Sequence, residues 1–170
     1  MSLNTTNPLV ITANHPNNTP SAAQSSLSIV HFPPDNPTIA FIRTSPQGSL
    51  KPPSTNPNPG EAWRENQIPR LSHEQAAIAL QNLTAVLALA DATPRDVTKL
   101  TVYFGPGTMG RMETLNAVLE RFFTDEKGLV HRPPCTILRV DWVGTNGFDK
   151  VAVEAEAVVR MKPPSYDELS

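Results

Sequence analysis

The sequence has one cysteine among 170 residues. A single thiol makes no internal disulfide, and no Cys/His cluster has zinc spacing, so neither a covalent staple nor a structural metal is expected. An excess of charge is missing too. Fourteen basic and 16 acidic residues leave a net charge of −2, which argues against a general phosphate-binding surface. No Lys/Arg-rich run marks a nucleic acid or an anionic membrane as partner. Aromatic residues are sparse at 6%, so a basic aromatic surface is absent as well. No apolar run approaches the roughly 18 residues that span a bilayer. The first residues, MSLNTTNPLVITANHP, lack the basic start and apolar core of a secretion signal. The sequons at Asn4, Asn17 and Asn82 are therefore read as chance. The expectation is a cytoplasmic protein of one domain, long enough to bury a core of its own.

Proline is abundant, and it divides the chain. Twelve of 18 prolines fall within the first 70 residues. Residues 1–26, rich in Asn, Thr, Ser and Pro, read as a flexible arm. Two short strands follow, LSIVHF at 27–32 and TIAFIRTS at 38–45, joined by the turn residues of FPPDNP. Residues 48–70 form a long proline-rich loop, in which Trp63 is expected to dock on the body and a third short strand is allowed for. From Leu71 the pattern changes. Leu80, Leu83, Leu87 and Ala90 repeat at helical spacing and predict a helix over 73–91, with Ser72 as N-cap and Gln75 closing a capping box. VTKLTVYFG alternates as a strand. Met112, Leu115, Leu119 and Phe122 line one face of a second helix, about 111–124. CTILRVDWV and KVAVEAEAVVR are the last two strands, and residues 162–170 form a polar tail. The order predicts an α+β fold with both helices on one face of a mixed sheet.

Few groups could carry chemistry. Period two puts Cys135, Ile137, Arg139 and Asp141 on one face of their strand, and Glu154 and Glu156 on one face of the last strand, opposite Val151, Val153, Ala155 and Val159. A carboxylate pair on an apolar strand fits an ordinary solvated face. It also fits an acid–base site if another subunit covers that face. Cys135 has two readings, a small buried hydrophobe or a nucleophile that would need a nearby base or cation. His15, His31, His73 and His131 form no triad or metal arrangement. GPGTMG, at 105–110, looks superficially like a phosphate loop, but it lacks a Lys-Ser/Thr ending and the parallel βαβ setting, so it reads as a turn.

Several landmarks taken in order give a resemblance. Gln75, Leu80, Asn82 and Leu83 match a Q…L-x-N-L helix that usually ends in Ala-Gly, where Asp91 stands for the glycine. DVTKLTVY matches a D-V-V-K-x-T-V-x strand. Asn116 and Phe123 match an N-x-x-Y-x-x-F-F helix, with Leu119 for the tyrosine. Pro133-Pro134 opens the strand that begins P-A-R-[ST], VEAEA matches V-E-I-E-A, and FIRTSPQG matches F-x-S-G-Q with Pro46 for the glycine. The chain resembles the reactive intermediate deaminase family (Rid, YjgF-like, endoribonuclease L-PSP) over about residues 39–159.

The resemblance implies a chorismate-mutase-like (YjgF-like) fold over residues 27–161 and a homotrimer with clefts between subunits. It also implies hydrolysis of imines and enamines without metal or organic cofactor. Carried over by position, Ser45, Asn116 and Glu156 match the family's site. The carboxylate-gripping arginine does not, because Cys135 occupies its place and a thiol cannot make two parallel donor bonds. The N-terminal tyrosine of the family pattern also has no counterpart. Glu156 is thus the expected catalytic residue, and Ser45, Asn116, Cys135, Ile137 and Arg139 are expected to bind substrate. Arg132 and Arg139 are the cations nearest in sequence to the missing one. The leading expectation is imine or enamine hydrolysis or a related acid–base step (tautomerisation, dehydration or cyclisation) on a small metabolite. The alternative is a non-catalytic trimer that binds a metabolite or a protein. Ribonuclease activity fits the acidic balance least well.

Overall fold

The computed structural model describes residues 9–13, 27–31, 39–49, 68–106, 112–141, 143 and 150–160. For 9–13, 27–31 and Met112 it describes the backbone alone. Trp63 and most of its loop, the GTMG turn at 107–110 and the 162–170 tail lie outside the described residues.

The elements, in order, are β1 (Leu9–Ala13), β2 (Leu27–His31), β3 (Ile39–Thr44), α1 (Ser72–Ala88), a 3-10 turn (Pro94–Asp96), β4 (Val97–Phe104), α2 (Met112–Phe122), β5 (Cys135–Arg139) and β6 (Val151–Arg160). They build an α+β fold on one six-stranded mixed sheet of order β1-β2-β3-β6-β4-β5. Two features depart from the sequence reading. Leu9–Ala13, inside the expected arm, is a strand paired antiparallel with β2. LVITA is a β-branched run, and the Asn/Pro-rich residues around it mask that signal. Second, β4 and β5 pair in parallel through α2, so a parallel crossover does follow β4. The phosphate-loop reading gains nothing from this, since the Lys-Ser/Thr ending is still missing.

β6 is the centre of the sheet, hydrogen-bonded to β3 on one edge and β4 on the other. Val151, Val153, Ala155, Ala157 and Val159 are buried, while Glu154, Glu156 and Val158 on the other face are half-buried. α1 presents Ala76, Ala79, Leu80, Leu83, Val86 and Leu87 to the buried face, and Leu115 and Phe123 of the α2 region complete the core. Leu80, Leu83, Leu87, Leu100 and Ile42 are almost wholly buried, each stabilising the fold by about 1.5–3 kcal/mol.

The start of α1 differs from expectation. The N-cap residue is Leu71, with no side-chain cap. Gln75 turns inward instead. Its Nε2 donates to the Pro69 carbonyl at 2.7 Å, and its Oε1 accepts from the Lys150 amide at 2.7 Å. It ties the helix start to the strand β6 approach, a stronger use of a buried amide than a solvated cap. Asn82 Nδ2 donates to the Gly48 carbonyl at 2.9 Å, and Gln47 exchanges backbone bonds with Val153 at 2.7 and 2.9 Å. The turn after β3 is therefore held by α1 and β6 together. The capping box belongs to the 3-10 turn, where the Asp96 carboxylate accepts from the Thr93 amide and the Thr93 hydroxyl accepts from Arg95.

Asp91, where the resemblance has glycine, has φ of 53°, in the left-handed region. The Ala92 amide reaches back to the Leu87 carbonyl at 3.1 Å to close the helix. A side chain there strains the backbone by about 1–2 kcal/mol, less for Asp than for most residues. Asp91→Gly is expected to raise unfolding stability by about 1 kcal/mol, read as a higher urea midpoint at unchanged slope.

Candidate functional site

Strand register sorts the candidates onto two faces. Cys135, Ile137 and Arg139 lie beside Leu100, Val102 and Phe104, which are buried against the helices. Glu154 and Glu156 lie beside Thr101 and Lys99, and Glu156 lies beside Arg43, all on the opposite face. One subunit therefore does not bring Cys135 and Glu156 together.

Asn116 and Cys135 both lie on the helix side. They share a cavity of about 270 Å³ with Leu119, Glu120, Phe123, Val130, His131, Arg132 and Pro133. Its floor is well held. His131 Nε2 lies 2.6 Å from the Val97 carbonyl, and its ring meets Phe123 edge-on at 5.8 Å. The turn before it is organised by Asp125, whose Oδ1 accepts from the Lys127 and Leu129 amides at 3.0 and 2.7 Å and whose other oxygen pairs with Arg95. Arg132 pairs with Glu120 at 3.4 Å at the exposed rim. Within the single chain Cys135 is exposed. Desolvation by the surrounding protein still raises its thiol pKa, which disfavours the thiolate. Ile137 and Arg139 continue the same strand face but do not line this cavity.

On the other face, a cavity of about 310 Å³ is lined by Arg43, Thr44, Thr101, Glu154, Ala155 and Glu156. Arg43 Nη2 and Lys99 Nζ both reach Glu156 Oε1, at 3.2 and 3.4 Å. The Tyr103 hydroxyl donates to Glu154 Oε1 at 2.6 Å. Beneath them, the buried Thr44 hydroxyl oxygen accepts from the Ala155 amide at 2.9 Å, and the chain then leaves the ladder. Ser45 follows, half-buried, its carbonyl accepting from Gln47 Nε2 at 2.8 Å.

Arg43, Lys99 and Tyr103 are absent from the sequence-derived site. The alternation of TIAFIRTS does expose Arg43 opposite Ile42, but only the β3-β6-β4 order shows which carboxylate it meets. Among the described residues no cluster of three or more His, Cys, Asp or Glu could hold a metal ion. Among them, too, no helix is long and apolar enough to cross a membrane.

The family model described as endoribonuclease L-PSP matches residues 57–161. No curated protein matches the chain. Solved structures do. The YjgF gene product of E. coli superposes with a TM-score of 0.61 at 23% identity, over 87% of this chain and 98% of its own. YyfA of Yersinia pestis, from the conserved Rid family, gives 0.65 at 16% identity, over 89% and 100%. E. coli TdcF, solved with bound serine, gives 0.57 at 23% identity, over 88% and 94%. At these identities the structures show the shared fold.

Burial, the Glu154 hydrogen bond and the Glu154 charge together push the Tyr103 pKa up from 10.0 to about 12. The folded state thus holds this proton more tightly than the unfolded chain does. Its contribution to stability is complete below pH 10 and is lost as pH rises toward 12. Phenolate absorbance at 295 nm is expected to appear near pH 12 for Tyr103, and Glu154→Gln is expected to bring that midpoint back toward 10.

Proposed function

The chain belongs to the endoribonuclease L-PSP family, the family of YjgF and Rid proteins, and from that premise we propose that it acts on a small metabolite in clefts between the subunits of a cytoplasmic homotrimer. The observation that carries this reading is the division of the site. Asn116 and Cys135 line a cavity on one face of the sheet, and Glu156 lines another on the opposite face. A second copy can join one cavity to the other, which one chain cannot do. The edge strand supports it: Ile137 and Leu138 of β5, with Leu129 and Val130 before it, are 36–58% exposed. An edge strand with exposed apolar side chains calls for a cover.

The chemistry we assign is hydrolysis of an imine or enamine. Water adds to the carbon of C=N, a proton passes from that water to the nitrogen, and the resulting carbinolamine collapses to ammonia and a carbonyl. We assign Glu156, which lines its cavity beside Glu154, to accept and return that proton. Tautomerisation, dehydration or cyclisation would use the same carboxylate. The step needs no metal or organic cofactor. The serine held by E. coli TdcF supports a small amino-acid-like ligand. The second reading, a non-catalytic binder of a metabolite or protein, draws on Cys135, whose neutral thiol replaces a guanidinium. Ribonuclease activity, the meaning of the family's name, draws no support from a net charge of −2.

Light scattering is expected to give three chains per particle, and a monodisperse monomer would overturn the shared cleft. Ammonia release from freshly generated amino-acid imines is expected in the wild type and to fall about 100-fold or more in Glu156→Gln. Release by Cys135→Arg alone would instead favour the binder, its cleft redirected to another ligand.

A further inference from the structure

The ladder around Glu156 is irregular on both edges of β6. On the β4 side, Val97 is the partner of Ala157 and Lys99 the partner of Glu156, so Thr98 is one residue in excess. The alternation breaks there: Thr98 and Lys99 are both exposed, between the buried Val97 and Leu100. On the β3 side, Arg43 is the partner of Glu156 and Gln47 the partner of Val153, so four steps along one strand cover three along the other. Each excess is a β-bulge, which bends its strand and re-aims the side chains beside it.

We propose that Thr44 and Thr98 are positioning residues for Glu156, their hydroxyls plugging two bulges that together fix the direction of its side chain. The inference rests on the reading of Glu156 as the proton-handling group.

Three observations carry it. First, at each bulge a threonine hydroxyl bonds the backbone of β6. The Ala155 amide donates to Thr44 Oγ1 at 2.9 Å, and Thr98 Oγ1 donates to the Glu156 carbonyl at 3.2 Å. A hydroxyl can accept or donate, and each is used in the sense the backbone group requires. The Ala155–Glu156 segment is thus held at its first donor and its last acceptor. The family's strand pattern has valine where Thr98 stands, so that hydroxyl is this chain's own. Second, Thr44 is 3% exposed, so water does not stand in for its bond and losing it would leave a buried donor unpaired. Third, the β4 bulge decides which side chain meets the carboxylate. In register with Val97, Lys99 would face Ala155, whose side chain is on the buried side. The extra residue sets Lys99 opposite Glu156 instead, and its Nζ reaches Glu156 Oε1 at 3.4 Å. Both edges of β6 are already paired within the chain, so these bulges stay as they are whichever face a second copy covers.

The test reads the Glu156 side chain directly, through vicinal couplings across its Cα–Cβ bond in the whole protein, with imine hydrolysis measured alongside. The wild type is expected to show a single rotamer. Thr44→Val keeps the shape and removes the acceptor. It is expected to average the couplings, to speed exchange of the Ala155 amide about tenfold or more, and to lower kcat about tenfold with KM within about twofold. Thr44→Ser, which keeps the hydroxyl, is expected to restore all three. Burial of Thr44 makes its valine variant prone to unfolding, so the exposed Thr98 supplies a second one. Thr98→Val is expected to average the couplings in part and to lower kcat about threefold, and Thr98→Ser to behave as the wild type. The proposal is overturned if the folded valine variants keep wild-type couplings. It is equally overturned if the serine variants fail as the valine variants do, which would make the threonines packing groups only. Averaged couplings at an unchanged kcat, or a Glu156→Gln variant as active as the wild type, would overturn Glu156 as the proton-handling group and leave the positioning standing.

Discussion

The alternation of β6 is the constraint on which the rest of this molecule depends. The strand has hydrogen-bonded neighbours on both edges, so its register is set twice over. A slip of one residue would carry Glu154 and Glu156 into the core and five small apolar side chains out of it. The apolar face is narrow, made of valines and alanines, and this lets α1 approach closely with its own alanines at 76 and 79. The same alternation that packs the helix thus delivers two carboxylates to the other face.

Local sequence carries much of this, and the physical reason is clear element by element. Periods of two and of three to four residues mark β3, β4, β5, β6, α1 and α2, because each is half-buried and repeats its apolar residues accordingly. The helix ends were harder to read. Ser72 and Gln75 have the chemistry of a cap, yet Gln75 is drawn to the Pro69 carbonyl and the Lys150 amide, and a partner 75 residues away is invisible to a local rule. β1 was hidden in the same way, since LVITA is short and its pairing with β2 is set by tertiary structure. The parallel pairing of β4 and β5 likewise follows from strand order, which no single stretch encodes.

The candidate site was legible only in part. Position against the family pattern picked out Asn116, Cys135, Ser45 and Glu156, and the structure brings the first two to one cavity. It also puts Glu156 behind the sheet from Cys135, a separation that period two within each strand cannot reveal. Sequence ranks cations by closeness along the chain, and so pointed to Arg132 and Arg139. Space ranks them by strand order. Arg43 is 113 residues from Glu156 in sequence and 3.2 Å from it in the fold.

The sheet also sets what a single chain can bring together. A side chain on the helix side of β5, the edge strand, has the whole sheet between it and Glu156, however near the two strands stand in the order β6-β4-β5. A side chain on the opposite face of β3 or β4 reaches Glu156 directly, as Arg43 and Lys99 do at 3.2 and 3.4 Å. The charged groups are thus fixed to one another by three adjacent strands, while the apolar lining of Leu119, Phe123 and Val130 belongs to the other side and is fixed by the packing of α2. A change in helix packing would therefore move the apolar lining and leave the charged cluster where the backbone ladder holds it.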